Sequence, residues 1–222
     1  MILSTKKLST TQKEIFHKSE VAFVEYDAIQ INFIDFKAPV EIEHAIFTSK
    51  NAVKAFFSPH NLNSSKLKRV FCVGEKTKSF LSKNDQKVVK MAKNASELVN
   101  YLVKQDKNHE FYFFCGNRRR DEIPFGLNKA KIDVFEVKTY ETELKWRKFG
   151  QKWGGILFFS PSGVESFFSE NNIENSICFC IGKTTAAALK KYSDNIIIAD
   201  SSNIESVIEK AIAIIKKKPV RG

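Results

Sequence analysis

The chain has 222 residues, 43% of them hydrophobic and 27% charged, with a formal net charge of +11. That length can bury one large core or two small ones, and the composition excludes a disordered chain. The excess of Lys and Arg calls for an acidic partner, with nucleic acid, anionic lipid and a polyanionic small molecule as candidates.

The N-terminal stretch "MILSTKKLSTTQ" has no apolar segment of the kind a secretion signal needs, and no run approaches the roughly 18 apolar residues of a membrane span. The expectation is therefore a cytoplasmic protein with no membrane attachment. In chain order, residues 1–5 read as a strand, 8–18 as a helix and 20–27 as a strand, and residues 28–40 read as a linker. "IFTSKNAVKAFF" (46–57) then runs from apolar residues through a small polar turn into apolar residues at helical spacing, the pattern of a buried strand, a tight turn and a helix. "VFCVGEKTKSFL" (70–81) does the same. A short strand "KVVKM" (87–91) and a capped helix "NASELVNYLV" (94–103) follow. Next come a strand "EFYFFCGN" (110–117), a helix, and a strand "IDVFEVKTY" (132–140) that runs into a second linker, 140–148.

Beyond that linker the chain repeats itself. "LFFSPSGVESFF" (157–168) restates 46–57, and "CFCIGKTTAAAL" (178–189) restates 70–81, with Gly74 falling on Gly182 and Thr77 on Thr185. A short strand (195–200) and a capped helix from Ser202 complete the second copy. The strands missing from its end are found at the N-terminus. The economical reading is an α/β protein of two similar five-stranded, parallel-sheet, flavodoxin-like domains. One is discontinuous, residues 1–30 plus 147–222, and the other continuous, 38–140. Two adjacent linkers join them, and an active cleft is expected between them, since ligands of open parallel sheets bind beyond the carboxyl ends of the strands.

The strand-to-helix turns carry small hydroxyl residues and glycines. They are 4–7, 48–51, 74–77, 115–120, 159–163 and 182–185, with Lys6, Lys7, Lys50, Arg118, Arg119, Arg120 and Lys183 beside them. Glycine admits a ligand close to the backbone, and the free N–H groups of a helix start favour an anion. Plain N-capping explains any single turn equally well, and Ser162 with Glu165 has capping-box spacing. Six such turns together favour an anion cleft. "GKTT" is not a phosphate-binding loop, because the position that should hold the first glycine is Ile177. The histidines, at 17, 44, 60 and 109, are scattered and read as surface residues with no metal-ligand spacing. The four cysteines lie in apolar runs and read as reduced core residues. No Ser/His/Asp set can be nominated. Tyr140, in "KTYET" at the end of a strand, reads either as a linker tyrosine packed between domains or as a hydroxyl facing substrate. Phenols titrate near about 10, so at neutral pH it could donate a proton but not act as a base.

At "FTSKNAV", "FCVG..T", "CGNRRRDEIP", "VKTYET", "FFSPSGV" and "IGKTTAAAL" the sequence resembles the uroporphyrinogen-III synthase family. The likeness covers nearly the whole chain and keeps the family's order. It departs at the N-terminus, where Lys6 stands in place of the usual Arg and the Gly before the second strand is missing. The resemblance implies a cofactor-free lyase that cyclises hydroxymethylbilane with inversion of ring D. It implies a polycarboxylate linear tetrapyrrole as substrate, and hydroxymethylbilane synthase as a transient partner. By carry-over, Thr48, Ser49, Thr77, Gly116, Asn117, Arg118, Ser160, Ser162, Gly163, Thr184 and Thr185 would bind substrate, and Tyr140 would help the hydroxyl leave. A monomer is expected. A non-enzymatic two-lobed binding protein for an anionic metabolite is the alternative. A nucleic-acid binder fits less well, because the Lys residues are spread through every helix and no recognition motif is present.

Overall fold

The computed structural model describes residues 1–59, 65–104 and 109–217. It contains, in order, β1 (Ile2–Ser4), α1 (Thr10–Ser19), β2 (Phe23–Glu25), β3 (Ile29–Phe33), β4 (Glu41–Phe47), α2 (Lys50–Phe56), β5 (Lys66–Val73), α3 (Glu75–Ser82), β6 (Val88–Ala92) and α4 (Ala95–Leu102). There follow β7 (Phe111–Gly116), α5 (Glu122–Lys129), β8 (Val134–Leu144), β9 (Gly155–Phe158), α6 (Pro161–Phe168), β10 (Ile177–Cys180), α7 (Lys183–Leu189), β11 (Ile196–Ile198) and α8 (Ile204–Lys217). These elements form two compact units, unit 1 from 1–30 with 143–222 and unit 2 from 31–142.

Unit 1 holds a five-stranded sheet ordered β11-β10-β9-β1-β2. Numbered along the chain, its own strands lie in the order 2-1-3-4-5, the flavodoxin order. Every pair in it is parallel. Both faces are covered, as a parallel sheet requires. Leu3, Ile156 and Phe158 point to one face, under Val164 and Phe167 of α6 and Leu189 of α7. Ile2, Leu157 and Phe179 point to the other, under Phe16 of α1 and Val207, Ile208 and Ala211 of α8.

Unit 2 repeats this plan with its strands permuted. Its sheet runs β3-β8-β7-β4-β5-β6, so strands β4 to β8 take the order 3-2-1-4-5, with a sixth strand at the β8 edge. Phe47, Val70 and Phe114 face α2 and α3, while Ile46, Phe71 and Phe113 face α4 and α5. The rings of Phe47 and Phe114 stack at 4.9 Å across neighbouring strands. Each such buried Phe is worth about 1.5–3 kcal/mol by burial. The sixth strand, β3, departs from the sequence reading, which gave residues 28–40 to a linker. Its sequence I-Q-I-N-F alternates apolar and polar residues, and this lets it pair with β8, which itself runs on to Leu144.

The helices start where their side chains can satisfy free amides. Ser9 and Gln12 form a capping box on α1, Asn94 caps α4 through the Glu97 N–H, and Asn203 Oδ1 accepts from the Ser206 N–H at the start of α8. No described helix is long and apolar enough to cross a membrane.

One histidine contradicts the surface reading. His44 is buried in unit 2, 2% exposed, with its ring 4.4 Å from that of His109 and 5.0 Å from that of Phe111. Its Nε2 lies 3.4 Å from Arg69 Nη1. Glu41 and Glu43 precede it along the chain, but the ladder sets His44 opposite Arg69, and its ring packs inside the unit. His60 lies outside the described residues. Burial chiefly, with His109 and Arg69 adding to it, lowers the His44 pKa below its ordinary value. The unfolded chain therefore binds a proton that the folded one refuses. Stability is retained above about pH 6.5 and lost as pH falls below it, with a slope of at most about 1.4 kcal/mol per pH unit. His44→Phe, whose ring would rest on Phe71 and Phe111, is expected to flatten that slope in urea titrations between pH 7 and pH 5. An unchanged slope would place the acid sensitivity elsewhere.

Candidate functional site

In an open parallel sheet, ligands bind outside the carboxyl ends of the strands where the strand order reverses. In unit 2 that point lies between β4 and β7. Thr48 and Ser49 follow β4, and Gly116 and Asn117 stand at the end of β7. Ser49 caps α2, its Oγ accepting from the Asn51 N–H at 3.0 Å. Tyr140 belongs to β8, on the far side of β7, yet its hydroxyl donates to the same Ser49 Oγ at 3.0 Å. To make that bond the ring must cross the end of β7, and it does so over Gly116. A Cβ at Gly116 would lie 2.4 Å from Tyr140 Cζ and 2.6 Å from Cε2, so no side chain fits beneath the ring. The ladder shifts register at this point, Cys115 facing Lys138 and Gly116 facing Tyr140. Thr139 is the extra residue, fully buried, its hydroxyl donating to the Cys115 carbonyl at 3.3 Å. The bulge redirects Tyr140, a common use of such irregularities near functional sites. Burial raises the Tyr140 pKa above its ordinary value, and the Ser49 hydrogen bond offsets this in part. The phenol is therefore protonated at neutral pH and available as a donor.

The residues after Gly116 have separate duties. Asn117 donates its backbone N–H to the Tyr140 carbonyl at 3.3 Å, and its Oδ1 accepts from the Thr142 N–H at 2.8 Å. Its Nδ2 donates to the Thr142 carbonyl at 3.4 Å. Arg118 is exposed. Arg119 is held by Asp121 and in a fork by Glu136, with Nη2 to Oε1 at 2.8 Å. That ionic cage, Glu136 first, raises the Arg119 pKa, and the cation is largely neutralised in place. An open groove of about 290 Å³ runs here, lined by Cys115, Gly116, Asn117, Arg119, Glu136 and Lys138. The run of three arginines thus does not act as one basic cluster.

In unit 1 the strand order reverses between β9 and β1, which are followed by the turns at 159–163 and 4–7. Ser160 caps α6, accepting from the Gly163 N–H at 3.0 Å, with Pro161 at the first helical position. Ser162 lies inside that first turn, so its capping-box spacing with Glu165 is not used. Thr5, which the sequence reading did not nominate, is 4% exposed and donates to the Leu157 carbonyl at 2.7 Å. A Cβ at Gly163 would lie 3.3 Å from Ser160 Oγ and 3.6 Å from Thr5 Oγ1, so the three residues converge. No local pattern marks Thr5, because its burial depends on β9, whose Leu157 is 152 residues away. Lys6 is exposed. The amides that follow it are already occupied, Lys7 N–H by Asp27 at 2.9 Å and Leu8 N–H by Glu25 at 2.9 Å, which makes this turn a poor anion nest.

Gly74 and Gly182 hold equivalent places before α3 and α7, and neither helix has a side-chain cap. Thr77 and Thr185, in matching turns of the repeat, are both buried at 4% and 3% exposure, whereas Thr184 is exposed. Among the described residues no group of three or more His, Cys, Asp or Glu side chains is arranged to hold a metal. Cys72, Cys115, Cys178 and Cys180 are free and buried, and burial pushes the first three thiols up to about 11. They are core thiols, not nucleophiles.

The chain matches the model of the HEM4 family, uroporphyrinogen-III synthase HemD, over residues 18–209. A segment of 62 residues is 39% identical to the porphyrin biosynthesis protein HemD of Ruminiclostridium josui, a match that spans 27% of this chain and 12% of that relative's own length. Among solved structures the chain is similar to uroporphyrinogen-III synthetase from Helicobacter pylori, with a TM-score of 0.72 and 18% identity over 96% of this chain and 98% of that one. It is also similar to a mutant uroporphyrinogen III synthase from Thermus thermophilus, with a TM-score of 0.69 and 11% identity over 98% and 99% of the two chains. At these identities the structural likeness is one of fold.

The two glycine turns are expected to respond differently to the same substitution. Gly74 has φ +84°, a backbone that side chains rarely adopt, while Gly182 has φ 173°, which any residue tolerates. Gly74→Ala is expected to cost about 1–2 kcal/mol in urea unfolding. Gly182→Ala is expected to cost within about 0.5 kcal/mol, its Cβ meeting only Ser202 Oγ at 3.6 Å.

Proposed function

The chain belongs to the uroporphyrinogen-III synthase family, and we propose that it closes hydroxymethylbilane, a linear tetrapyrrole, into the type III macrocycle with loss of water and inversion of ring D. The observation that carries this reading is the partly buried phenol of Tyr140, held over Gly116 against Ser49 at the reversal point of unit 2.

The reaction begins with departure of the terminal hydroxyl. In water that group leaves as hydroxide, a poor leaving group. Protonated by the Tyr140 phenol, it leaves as water, and the bilane becomes an azafulvenium cation opposite the phenolate. The substrate hydroxyl takes the place of Ser49 as acceptor for the phenol proton. Ser49 then turns its own hydroxyl toward the phenolate and offsets part of the cost of a buried charge. The substituted carbon of ring D attacks the azafulvenium cation to give a spiro intermediate, which rearranges to the inverted macrocycle. The proton lost on aromatisation restores the phenol. Most of the remaining work is orientation, since the unassisted bilane closes without inverting ring D.

The substrate's eight carboxylates suit a protein of positive net charge. In unit 2 we assign their binding to Thr48, Ser49, Thr77 and Arg118, with Gly116 and Asn117 forming the adjoining floor. In unit 1 we assign it to Ser160, Ser162, Gly163, Thr184 and Thr185. Ser49 and Ser160 occupy the same place in the two copies, each capping the helix after a strand at the reversal point, which supports a shared role. We also place the protein in the cytoplasm as a monomer, with hydroxymethylbilane synthase as a transient partner. The buried free thiols suit a reducing compartment.

Hydroxymethylbilane generated in situ from porphobilinogen by a deaminase, then oxidised and separated by isomer, tests the reading. Mostly type III porphyrin is the expected product. Type I porphyrin at the rate of the control would leave the non-enzymatic binding protein as the better description. Tyr140→Phe is expected to slow single turnover by about 10–100-fold, the usual worth of a proton donor. Unchanged single-turnover kinetics would remove the phenol from the mechanism.

A further inference from the structure

Asn117 was expected, from sequence, to touch substrate. Its side-chain amide is engaged in another way. Both polar atoms of the amide face the backbone of one residue, Oδ1 receiving the Thr142 N–H at 2.8 Å and Nδ2 reaching the Thr142 carbonyl at 3.4 Å. That is the pairing a strand neighbour would make. The β7 ladder ends at Gly116, and the Asn117 amide continues it along β8 by one more pair. Its backbone N–H meanwhile binds the Tyr140 carbonyl at 3.3 Å. Tyr140 is thus tied on its own carbonyl and two residues later by one asparagine. Gly116, immediately before, leaves the space in which the ring lies.

We propose that Gly116 and Asn117 are positioning residues for the Tyr140 phenol, and that they act on the reaction through it and not by binding the substrate's carboxylates. The proposal rests on the reading of Tyr140 as proton donor for the choice of reaction, but the seat itself is a property of the free protein. Gly116 sets where the ring can lie, and Asn117 sets how the strand beneath it is held. Ser49 fixes the hydroxyl end. The other titratable group against the phenol is the buried Cys115 thiol, which disfavours a phenolate further.

Two measurements separate a positioning role from a binding one. The first is the titration of Tyr140 by tyrosinate absorbance, isolated from the other four tyrosines by subtracting the same variant carrying Tyr140→Phe. In the unaltered protein this phenol should titrate above about 10. In Gly116→Ala, where the new Cβ expels the ring, and in Asn117→Ala, it should move down toward the ordinary range. Asn117→Asp keeps the acceptor for the Thr142 N–H and should fall between the two. The second measurement is the split between kcat and KM. Gly116→Ala and Asn117→Ala should lower kcat by about 10-fold or more with KM changed by less than about 3-fold. In the Tyr140→Phe background neither should cost anything further. A raised KM with kcat intact would make Asn117 a substrate ligand and overturn the proposal, as would an unmoved Tyr140 titration in both variants. Full activity in Tyr140→Phe alone would instead remove the proton-donor reading, and a shifted titration would still uphold the seat.

Discussion

The ring of Tyr140 lies across the end of β7, and unit 2 is shaped to permit it. A side chain from β8 can reach the turn after β4 only by passing over the strand between them. That strand must therefore end in a residue with no side chain, and Gly116 does. It must end at the right height, and the register shift between Cys115 and Gly116 provides this, with Thr139 taken out of the ladder and buried. The turn reached must present an acceptor, and the cap of α2 does so because Ser49 is already fixed by the Asn51 N–H. Change any one of these and the hydroxyl has no defined place.

The two units reach one spatial order of strands by two orders along the chain. β9, β10 and β11 match β4, β5 and β6, and β1 and β2 match β7 and β8, although β1 and β2 come first in the sequence. The reversal point consequently falls between equivalent strands in both units, and the serine that caps the following helix is equivalent as well. The copies have diverged in what surrounds that serine. In unit 2 it faces a phenol, and in unit 1 it faces Gly163 and the buried hydroxyl of Thr5.

Much of this was legible in the sequence. The paired phrases at 46–57 and 157–168 change from strand to helical spacing at one place, and Ser49 and Ser160 cap the helices there. The discontinuous parallel sheet followed from the strands missing after the second copy. What could not be read depends on residues distant along the chain. Tyr140 was singled out for its place at a strand end, but its partner is 91 residues away. The occupation of the Asn117 amide depends on Thr142 lying opposite it. Arg119 looked like one of three equal cations until Glu136 and Asp121 were seen to enclose it. His44 follows two glutamates in the sequence, and its burial follows from Arg69 and Phe111 on neighbouring strands. β3 was missed because a five-residue alternation between polar stretches is a weak signal until β8 is there to receive it.

The permuted order of unit 1 also fixes a sequence of events during synthesis. β1 lies between β2 and β9, with Leu3 opposite Val24 on one side and Ile156 on the other. The first partner emerges within some twenty residues and the second only after all of unit 2. Ile2 and Leu3, which end fully buried, must wait for that second partner before their core can close. Unit 2 has all its strands between residues 29 and 144 and can be complete earlier. The nascent chain therefore carries a finished domain beside an unfinished one, whose apolar strand β1 is satisfied only by residues that follow unit 2.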